Sequence, residues 1–464
     1  MKAHYRTAVV ETACEPLDIA VGLAESELSD TYVIYESRDG WSIADGVAAE
    51  VIVDAGTVRT RALDECHEEP WSGDPLAAVR KFLSQLPIAD WAAYGWSAFE
   101  LSHAIAGLEV GAQTLLHLVI PETEIRLSGS QATLRSLDAA ALPGMERALS
   151  RIGAKTTAGD AEARRTGLTP LHVDLETGAE DYRRSVASLV AEIRAGGLQK
   201  AILSREVPVE AEIDFPAGYR LGRRHNTPAR SFLLDMGGLR CFGFSPETVL
   251  EVSDDRRVSS QPLAGTRALT GDTDLDRKLQ DELLSDPKEV HEHAISVKLA
   301  VDELAGLCEP ETVVVEEFMS VKERGSVQHL ASRVSGRIPE GRCAWDAFAA
   351  VFPAITASGV PKLAAYQAIR RHERGDRGPY AGSVLKVTQG GTLDAALVLR
   401  SVYAHGGRTW LRAGAGIVGH SQPDRELEET REKLRSVATS VLVRTEGAGT
   451  TSSTARPVRA ESHS

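Results

Sequence analysis

Two pairs of glutamates have a spacing that could bind a metal ion. Glu289 and Glu292 stand in the segment DPKEVHEH, and Glu426 and Glu429 stand in RELEETREKL. Residues three apart lie on one face of an α-helix, and in both segments that face borders a stripe of apolar positions. Carboxylate oxygens are the ligands that Mg²⁺ prefers. The two pairs together can supply an oxygen-rich Mg²⁺ site shared by two helices, whereas each helix taken alone fits a solvated acidic edge better.

A di-iron centre in a helix bundle is a second interpretation of paired glutamates. Such a centre needs a Glu-x-x-His motif on the partner helices. The one motif of that kind in the sequence, Glu100 with His103, lies far along the chain from both glutamate pairs. We therefore interpret it as incidental and retain Mg²⁺ as the predicted ion.

The segment GAGIVG matches the G-x-G-x-x-G pattern at Gly414, Gly416 and Gly419. A dinucleotide site needs that loop between a strand and the helix that it opens, inside a βαβ unit. Here HGG joins the two preceding strands as a hairpin, and the loop HSQPD follows the last glycine. This context argues against a nucleotide site. Glycines also let a backbone approach a ligand closely, so AGAG could offer N–H groups to a carboxylate.

The helices and strands that must position these residues are predicted to occur in separate runs along the chain. EDYRRSVASLVAEIRAGG has apolar residues at helical spacing and ends in glycines, and short strands follow it from QKAILSREVPVEA to RRVSSQPL. Helices are predicted from about 274 to 307 and around 344 to 352, and strands return at AALVLRSVYA and RTWLRAGAGIV. Runs of strands and helices in this order predict an α+β fold with mostly antiparallel sheets.

Composition divides the chain into four parts. The segment KTTAGDAEARRTGLTP and the C-terminal tail are polar and rich in small residues. The predicted parts are an N-terminal α+β part of the same body (1–154), a linker or long loop (155–170), a catalytic core (171–444) and a disordered tail (445–464). No chemistry is predicted for the N-terminal part.

The overall charge and the cysteine content narrow the range of partners. The chain has 464 residues and a net charge of −14, so neither nucleic acid nor an anionic membrane is an expected partner. The five cysteines are scattered without a C-x-x-C pair, which argues against a zinc site and a disulfide framework. The first residues lack the apolar core of a signal peptide, and no apolar run reaches the about 18 residues of a membrane span. A cytoplasmic location is expected.

Ten stretches resemble one enzyme family when they are taken in order. They are KAILSREV, GFSPETVL, QPLAGTRAL, DPKEVHEH, SVQHLAS, FPAITASGVPK, GPYAGSV, LDAALVLRSVY, RAGAG and RELEETREKL. Together they resemble the chorismate-utilising enzymes (anthranilate, aminodeoxychorismate, isochorismate and salicylate synthases), strongly over 171–443 and more weakly before it. The resemblance implies chorismate as the substrate. It also implies two packed, mostly antiparallel β-sheets flanked by helices, with the active site in the cleft between them.

The resemblance implies which residues contact the metal and the substrate. Family members bind the ring carboxylate of chorismate through Mg²⁺, and the matching ligands are the two glutamate pairs. The matching substrate contacts are Gly265, Thr266, His329, Thr356, Tyr380, Arg400, Gly414, Gly416 and Lys433. Arg400 matches the residue that grips the pyruvyl carboxylate, an anion for which a guanidinium fork is suited. Without the resemblance, Arg400 could be a strand end in water and His329 a structural buried histidine.

Lys200 and Glu247 are the catalytic pair that the resemblance implies. Members of the family that add ammonia carry glutamine at the position of Lys200, whereas members that add water carry lysine. A desolvated lysine can act as a general base, here on a water that attacks ring carbon 2. Glu247 would protonate the hydroxyl that leaves carbon 4, which requires a raised pKa. The predicted product of this step is isochorismate.

The segment FPAITASGVPK most resembles the salicylate synthases and predicts a second step, in which elimination of pyruvate gives salicylate. Three alternatives remain: an isochorismate synthase that stops at isochorismate, an ammonia-using enzyme like anthranilate synthase, and a non-catalytic relative. We find no glutaminase motif, so no obligatory glutaminase subunit is expected. The expected state is a monomer.

Overall fold

A computed structural model of the protein describes residues 2–63, 65–157, 167–325 and 327–444. The predicted tail (445–464) and most of the predicted linker lie outside these residues. The helices are α1 (Pro16–Ser26), α2 (Pro75–Gln85), α3 (Leu101–Ile105), α4 (Leu142–Thr157), α5 (Ala179–Arg194), α6 (Phe215–His225), α7 (Thr273–Ser285), α8 (Pro287–Ala305), α9 (Ala344–Val351), α10 (Lys362–His372) and α11 (Pro423–Ala438). None of these described helices is both long and apolar enough to cross a membrane.

The strands divide between the first third of the chain and the remainder. Those of the first third are β1 (Ala3–His4), β2 (Arg6–Glu11), β3 (Tyr32–Ser37), β4 (Gly40–Asp45), β5 (Ala49–Asp54), β6 (Thr57–Ala62), β7 (Glu65–Pro70), β8 (Ile88–Ala89), β9 (Ala92–Ser97), β10 (Thr114–Ile120), β11 (Thr123–Ser128) and β12 (Gln131–Ser136). Those of the remainder are β13 (Leu168–Pro170), β14 (Lys200–Pro208), β15 (Arg230–Met236), β16 (Leu239–Ser245), β17 (Thr248–Val252), β18 (Arg257–Ser260), β19 (Leu263–Ala268), β20 (Val314–Arg324), β21 (Val327–Arg337), β22 (Gly359–Val360), β23 (Ser383–Thr388), β24 (Leu393–Leu397), β25 (Ser401–His405), β26 (Arg408–Val418) and β27 (Leu442–Arg444).

Two large sheets form the body of the molecule. The first has the strand order β19-β21-β18-β17-β24-β23-β9-β10-β5-β6-β7, with β20 also paired to β21. The second has the order β2-β12-β11-β4-β3-β15-β16-β25-β26-β14-β22. Neighbouring strands in both sheets run antiparallel. The predicted α+β fold with mostly antiparallel sheets is confirmed.

The two sheets pack against each other over a shared apolar core. Leu116 and Leu385 come from the first sheet, Val33 and Phe232 come from the second, and all four are fully buried in one cluster. Burial of apolar surface is the main favourable term in folding. The core therefore fixes the relative position of the two sheets, and with it the width of the cleft at their edge.

Strands from the first third of the chain lie inside both sheets. In the first sheet β9 lies between β10 and β23, and in the second β3 lies between β4 and β15. The N-terminal residues are therefore hydrogen-bonded directly to the segments that carry the candidate site.

Helices α8 and α11 carry the two glutamate pairs. Asp286 caps α8 by accepting a hydrogen bond from the backbone N–H of Glu289, and Pro423 occupies the first turn of α11. Helix α11 buries Leu427 and Leu434 completely and packs on β26, while α8 packs on β19 and β21. Each helix therefore lies against a different sheet, and their glutamates meet at the cleft.

The glycine-rich segment lies within a strand. Strands β25 and β26 form an antiparallel hairpin whose turn contains Gly406 and Gly407, both with positive φ. Gly414 and Gly416 lie in the middle of β26. The prediction that this segment is a hairpin strand, and no βαβ phosphate loop, is confirmed.

Candidate active site

A cavity lies where β14 and β26 of the second sheet face β19 and β21 of the first. Its empty space is about 870 Å³ when the open solvent at its mouth is included. Thirteen of the fifteen predicted site residues line it, namely Lys200, Glu247, Gly265, Thr266, Glu292, His329, Thr356, Tyr380, Arg400, Gly414, Gly416, Glu429 and Lys433. Glu289 lines an adjoining pocket that also contains Glu292 and Glu429. Glu426 is 1% exposed and lies one turn before Glu429 on α11.

Lys200 is the first residue of β14 and is buried in the wall of this cavity. Its Nζ donates a hydrogen bond to Glu292 Oε1 at 2.7 Å. Burial would raise the pKa of Glu292, but the positive charge and hydrogen bond of Lys200 outweigh burial and lower it. The two side chains form an ion pair that joins the predicted base to a predicted metal ligand.

Glu247 is 3% exposed and lies in the short turn between β16 and β17. Burial raises the pKa of its carboxyl to about 8, although the hydrogen bond from Thr356 and the charge of Lys200 oppose this. Thr356 Oγ1 donates that bond to Glu247 Oε1 at 2.7 Å. At neutral pH Glu247 is therefore mostly protonated, as a proton donor must be.

Arg400 lies after β24 and directs its guanidinium into the cavity. Its Nη2 donates a hydrogen bond to His329 Nε2 at 2.9 Å, and among the described residues it has no carboxylate partner. Burial and the nearby charge of Arg324 lower the pKa of Arg400 to about 10, so it stays cationic at neutral pH. Arg400 is therefore not a strand end exposed to water. A bound anion would give its guanidinium the negatively charged partner that it lacks among the described residues.

His329 is a neutral member of the cavity wall. Burial and the charge of Arg400 hold the pKa of this histidine well below its ordinary value. Since Nε2 accepts from Arg400, the proton sits on Nδ1, which lies 3.0 Å from Thr266 Oγ1 and 3.3 Å from the carbonyl of Gly265. The imidazole thus connects Arg400 to the loop at the start of β19.

The four predicted metal ligands converge but do not form a closed cage. Burial and mutual repulsion raise the pKa values of Glu289 and Glu426, whereas Glu292 pairs with Lys200 and Glu429 pairs with Lys433 at 2.8 Å. Each of these two carboxylates thus has a lysine partner, and no group of three His, Cys, Asp or Glu side chains in the described residues is already arranged around a metal position.

The donor set nevertheless fits Mg²⁺. Every candidate ligand is a carboxylate, which suits a hard cation. Glu426 Oε2 is buried and has no hydrogen-bond partner among the described residues, which is a costly arrangement for an ionised oxygen. A divalent cation would satisfy this oxygen and would offset the repulsion between the glutamates.

Glycines leave room for a ligand beside the reacting groups. A Cβ atom at Gly414 would lie 2.5 Å from the carbonyl of Leu203 and 2.9 Å from the hydroxyl of Tyr380, and one at Gly416 would lie 3.1 Å from Glu292 Oε1. Lys433 Nζ donates to the carbonyl of Gly414 at 2.9 Å. No side chain could replace hydrogen at these positions without displacing the site residues.

Arg412 also lines the cavity and was not predicted from the sequence. It lies on β26 two residues before Gly414, and alternate residues of a strand share a face. This two-residue repeat could have identified Arg412 from the sequence, since Gly414 and Gly416 were already predicted to belong to the site. Arg412 is only 4% exposed and binds the buried carboxylate of Glu373 at 2.6 Å.

The sequence is similar to proteins of one family. A family model of chorismate binding enzymes matches residues 30–439. A salicylate synthase from Mycolicibacterium paratuberculosis is 41% identical over 447 residues, which cover 93% of this chain and 94% of that protein. Anthranilate synthase component 1 from Spirochaeta aurantia is 37% identical over 304 residues, which cover 64% of this chain and 62% of that protein. These matches confirm the resemblance found in the sequence motifs.

Solved structures share the fold. Anthranilate synthase component I from Streptococcus pneumoniae superposes with a TM-score of 0.71 at 25% identity, covering 86% of this chain and 91% of that one. The menaquinone-specific isochorismate synthase from Escherichia coli has a TM-score of 0.70 at 22% identity, covering 95% of both chains. The architecture of two large sheets with flanking helices is therefore common to all three proteins.

Proposed function

Because the chain belongs to the chorismate binding enzyme family, we propose that it is a salicylate synthase, which converts chorismate to isochorismate and then to salicylate and pyruvate. The observation that carries the proposal is the placement of Lys200 and a buried, largely protonated Glu247 in one cavity. A lysine and a neutral carboxyl are the base and the acid that water addition needs. The similarity of the whole chain to a salicylate synthase supports the second step.

Water addition uses the two ionisable side chains in turn. Lys200, which is the cation of the ion pair with Glu292, must first release a proton to solvent, and it then takes a proton from a water that attacks ring carbon 2. The ring double bonds shift, and the hydroxyl on carbon 4 leaves as water after it receives the proton of Glu247. The hydrogen bond from Thr356 to Glu247 Oε1 leaves the second carboxyl oxygen to carry that proton.

Elimination of pyruvate requires no further acid or base. The hydrogen on ring carbon 2 passes to the methylene of the enolpyruvyl group while the bond between ring carbon 3 and the ether oxygen breaks. The products are salicylate and pyruvate. The protein must hold the side chain folded over the ring, so orientation supplies much of the rate. Arg400 and Tyr380 are the groups that would hold the pyruvyl carboxylate.

The proposed reaction requires Mg²⁺ as a cofactor. The residues that would hold it are Glu289, Glu292, Glu426 and Glu429. When bound, Mg²⁺ would supply a positive charge for the ring carboxylate of chorismate. The chain's own contribution at this end of the cavity is to supply the carboxylates and to keep them close together despite their repulsion.

The protonation of Glu247 predicts how the rate of the first step depends on pH. Because the acid form donates the proton, kcat/KM for chorismate consumption should fall above about pH 8, as Glu247 ionises. Thr356→Val removes a hydrogen bond that lowers the pKa of Glu247. The alkaline limb of the profile should therefore move to higher pH in this variant. If the limb stays in place, a different group is titrating.

The isochorismate synthase alternative is tested by supplying the intermediate. With purified isochorismate and Mg²⁺, we expect salicylate fluorescence to rise together with pyruvate release. Arg400→Ala should impair this step and chorismate consumption together, because one carboxylate contact serves both. Return of isochorismate to chorismate, with pyruvate no higher than in an enzyme-free control, would identify an isochorismate synthase instead.

A further inference from the structure

A buried arginine contacts three segments that carry the proposed reacting groups. Arg377 Nη2 donates to the carbonyl of Ile202 at 2.6 Å, and its Nη1 donates to the carbonyl of Ala357 at 2.8 Å. Ile202 follows Lys200 by two positions on β14, and Ala357 directly follows Thr356. The guanidinium also lies 5.7 Å from the centre of the Tyr380 ring. One side chain thus joins the strand of the base, the turn beside the acid and a substrate contact.

Arg377 is held in this orientation from several sides. Its Nε donates to Glu373 Oε2 at 2.9 Å, and its backbone N–H donates to Glu100 Oε1 at 2.7 Å. Its guanidinium lies 4.4 Å from the ring centre of Phe99. Glu373 also accepts from Arg412, whose guanidinium lies 5.6 Å from the Tyr380 ring. The side chains of Arg377 and Glu373 are 1% and 2% exposed.

We infer that Arg377 is a positioning residue that sets the distance between Lys200 and the Thr356–Glu247 pair. The inference rests on the proposed function, because it concerns the base and the acid of that reaction. Water addition needs both groups in place on opposite faces of one ring. Their backbone segments are joined by the pairing of β14 with β22 and by the hydrogen bond from Ile202 N–H to the carbonyl of Ser358 at 2.8 Å. The guanidinium bonds to both sides of this junction, so a change in its shape should alter the spacing of the two segments.

The energetics of buried ion pairs favour a geometric role over a purely stabilising one. A buried pair gains little net stability over apolar side chains of similar size, because desolvation offsets the attraction. Here two arginines and two carboxylates, Glu100 and Glu373, are buried together. What this arrangement supplies is directed hydrogen bonds to backbone carbonyls on separate segments.

An arginine is required because its donors point in several fixed directions. The planar guanidinium reaches Ile202, Ala357 and Glu373 at once, whereas a lysine has one ammonium group on a flexible stem. Arg377→Lys keeps the charge opposite Glu373 but cannot keep all of these bonds. It therefore tests position with little change in charge.

The inference also gives the N-terminal part of the chain a role. Phe99 and Glu100 follow β9 after one intervening residue, and Phe99 N donates to the carbonyl of Gly378 at 2.8 Å. Glu100 Oε2 accepts from the backbone N–H of Gly378 at 3.1 Å. The turn that leads to Tyr380 is thus fixed by residues that the sequence did not connect with chemistry.

The test compares Arg377→Lys with Arg230→Lys. Arg230 is also a buried arginine, is paired with Asp394 and Glu251, and does not line the cavity. We expect Arg377→Lys to lower kcat for chorismate consumption by about 10²-fold, since a displacement of about 1 Å can cost that much. KM should change much less, because Arg400 and Lys433 remain. The alkaline limb of the pH profile should also move, because the Thr356 turn has shifted.

Arg230→Lys should lower the melting temperature but leave kcat per folded molecule and the alkaline limb unchanged. If Arg377→Lys behaves in the same way, Arg377 is merely structural and the inference is overturned. Should Arg377→Lys fail to fold, Glu373→Gln provides the second variant. The glutamine retains an oxygen acceptor. We therefore expect kcat to fall and the alkaline limb of the pH profile to move as in Arg377→Lys, but by smaller amounts. Wild-type values for both in folded Glu373→Gln would also overturn the inference.

Failure of this inference can be distinguished from failure of the proposed function. A wild-type protein that consumes no chorismate would refute the function itself. A wild-type protein that stops at isochorismate would leave the test intact, because the test measures only the first step.

Discussion

Glu426→Gln is expected to reduce salicylate formation to background at Mg²⁺ concentrations that saturate the wild-type protein. Glu426 is buried, and its Oε2 has no hydrogen-bond partner among the described residues. This oxygen is therefore available to bind a metal ion. A glutamine keeps the shape but removes the charge that binds a hard cation. Wild-type turnover should likewise disappear in excess chelator and return when Mg²⁺ is restored.

A readout besides activity comes from thermal unfolding. Ligand at 100 times its Kd stabilises a protein by about 2.7 kcal/mol, so Mg²⁺ should raise the melting temperature of the wild-type protein. Glu426→Gln should lose this response. Because burial and Glu429 raise the folded-state pKa of Glu426, its ionised form weakens the fold above the ordinary pKa. The metal-free variant should therefore be at least as stable as the metal-free wild type.

Glu428→Gln provides the matched control on the same helix. Glu428 is partly exposed and pairs with Arg431 and Arg435. The Glu428→Gln variant should keep both its turnover and the rise in melting temperature with Mg²⁺. Turnover by the wild-type protein that is undiminished in excess chelator would rule out the metal assignment.

Lys200→Gln is expected to lower the rate of isochorismate formation by about 10² to 10⁴, the usual cost of losing a general base. The measurement is isochorismate plus salicylate formed from chorismate at saturating Mg²⁺. Since Lys200 pairs with Glu292 at 2.7 Å, the glutamine variant also leaves a carboxylate without its cation, which destabilises the fold. A second variant must separate these two effects.

Lys200→Arg makes that separation. An arginine keeps a positive charge near Glu292 but stays protonated at any working pH, so it cannot act as a base. Both variants should lose water addition, whereas the arginine variant should retain more of the wild-type stability. Near-normal isochorismate formation by either folded variant would place the base on another residue.

Motifs in the sequence were sufficient for the family, the fold class and most of the residues that line the candidate cavity. The Glu-x-x-Glu spacing placed Glu289 with Glu292 on one helix face, and Glu426 with Glu429 on another, because helical geometry depends only on nearby residues. The HGG turn placed Gly414 in a hairpin strand for the same reason. Ordered motifs identified the family without any knowledge of which segments would meet.

The tertiary structure alone decided how these groups act on one another. The ion pair between Lys200 and Glu292 joins residues 92 positions apart, and the pKa of Glu247 rises because surrounding segments exclude water from it. Neither effect has a local signature. The contacts of Arg377 with β14, the Thr356 turn and Glu100 likewise depend on long-range packing. Burial and ionisation are properties of the assembled sheets, so the family resemblance could name candidate site residues but could not show their pairing or protonation.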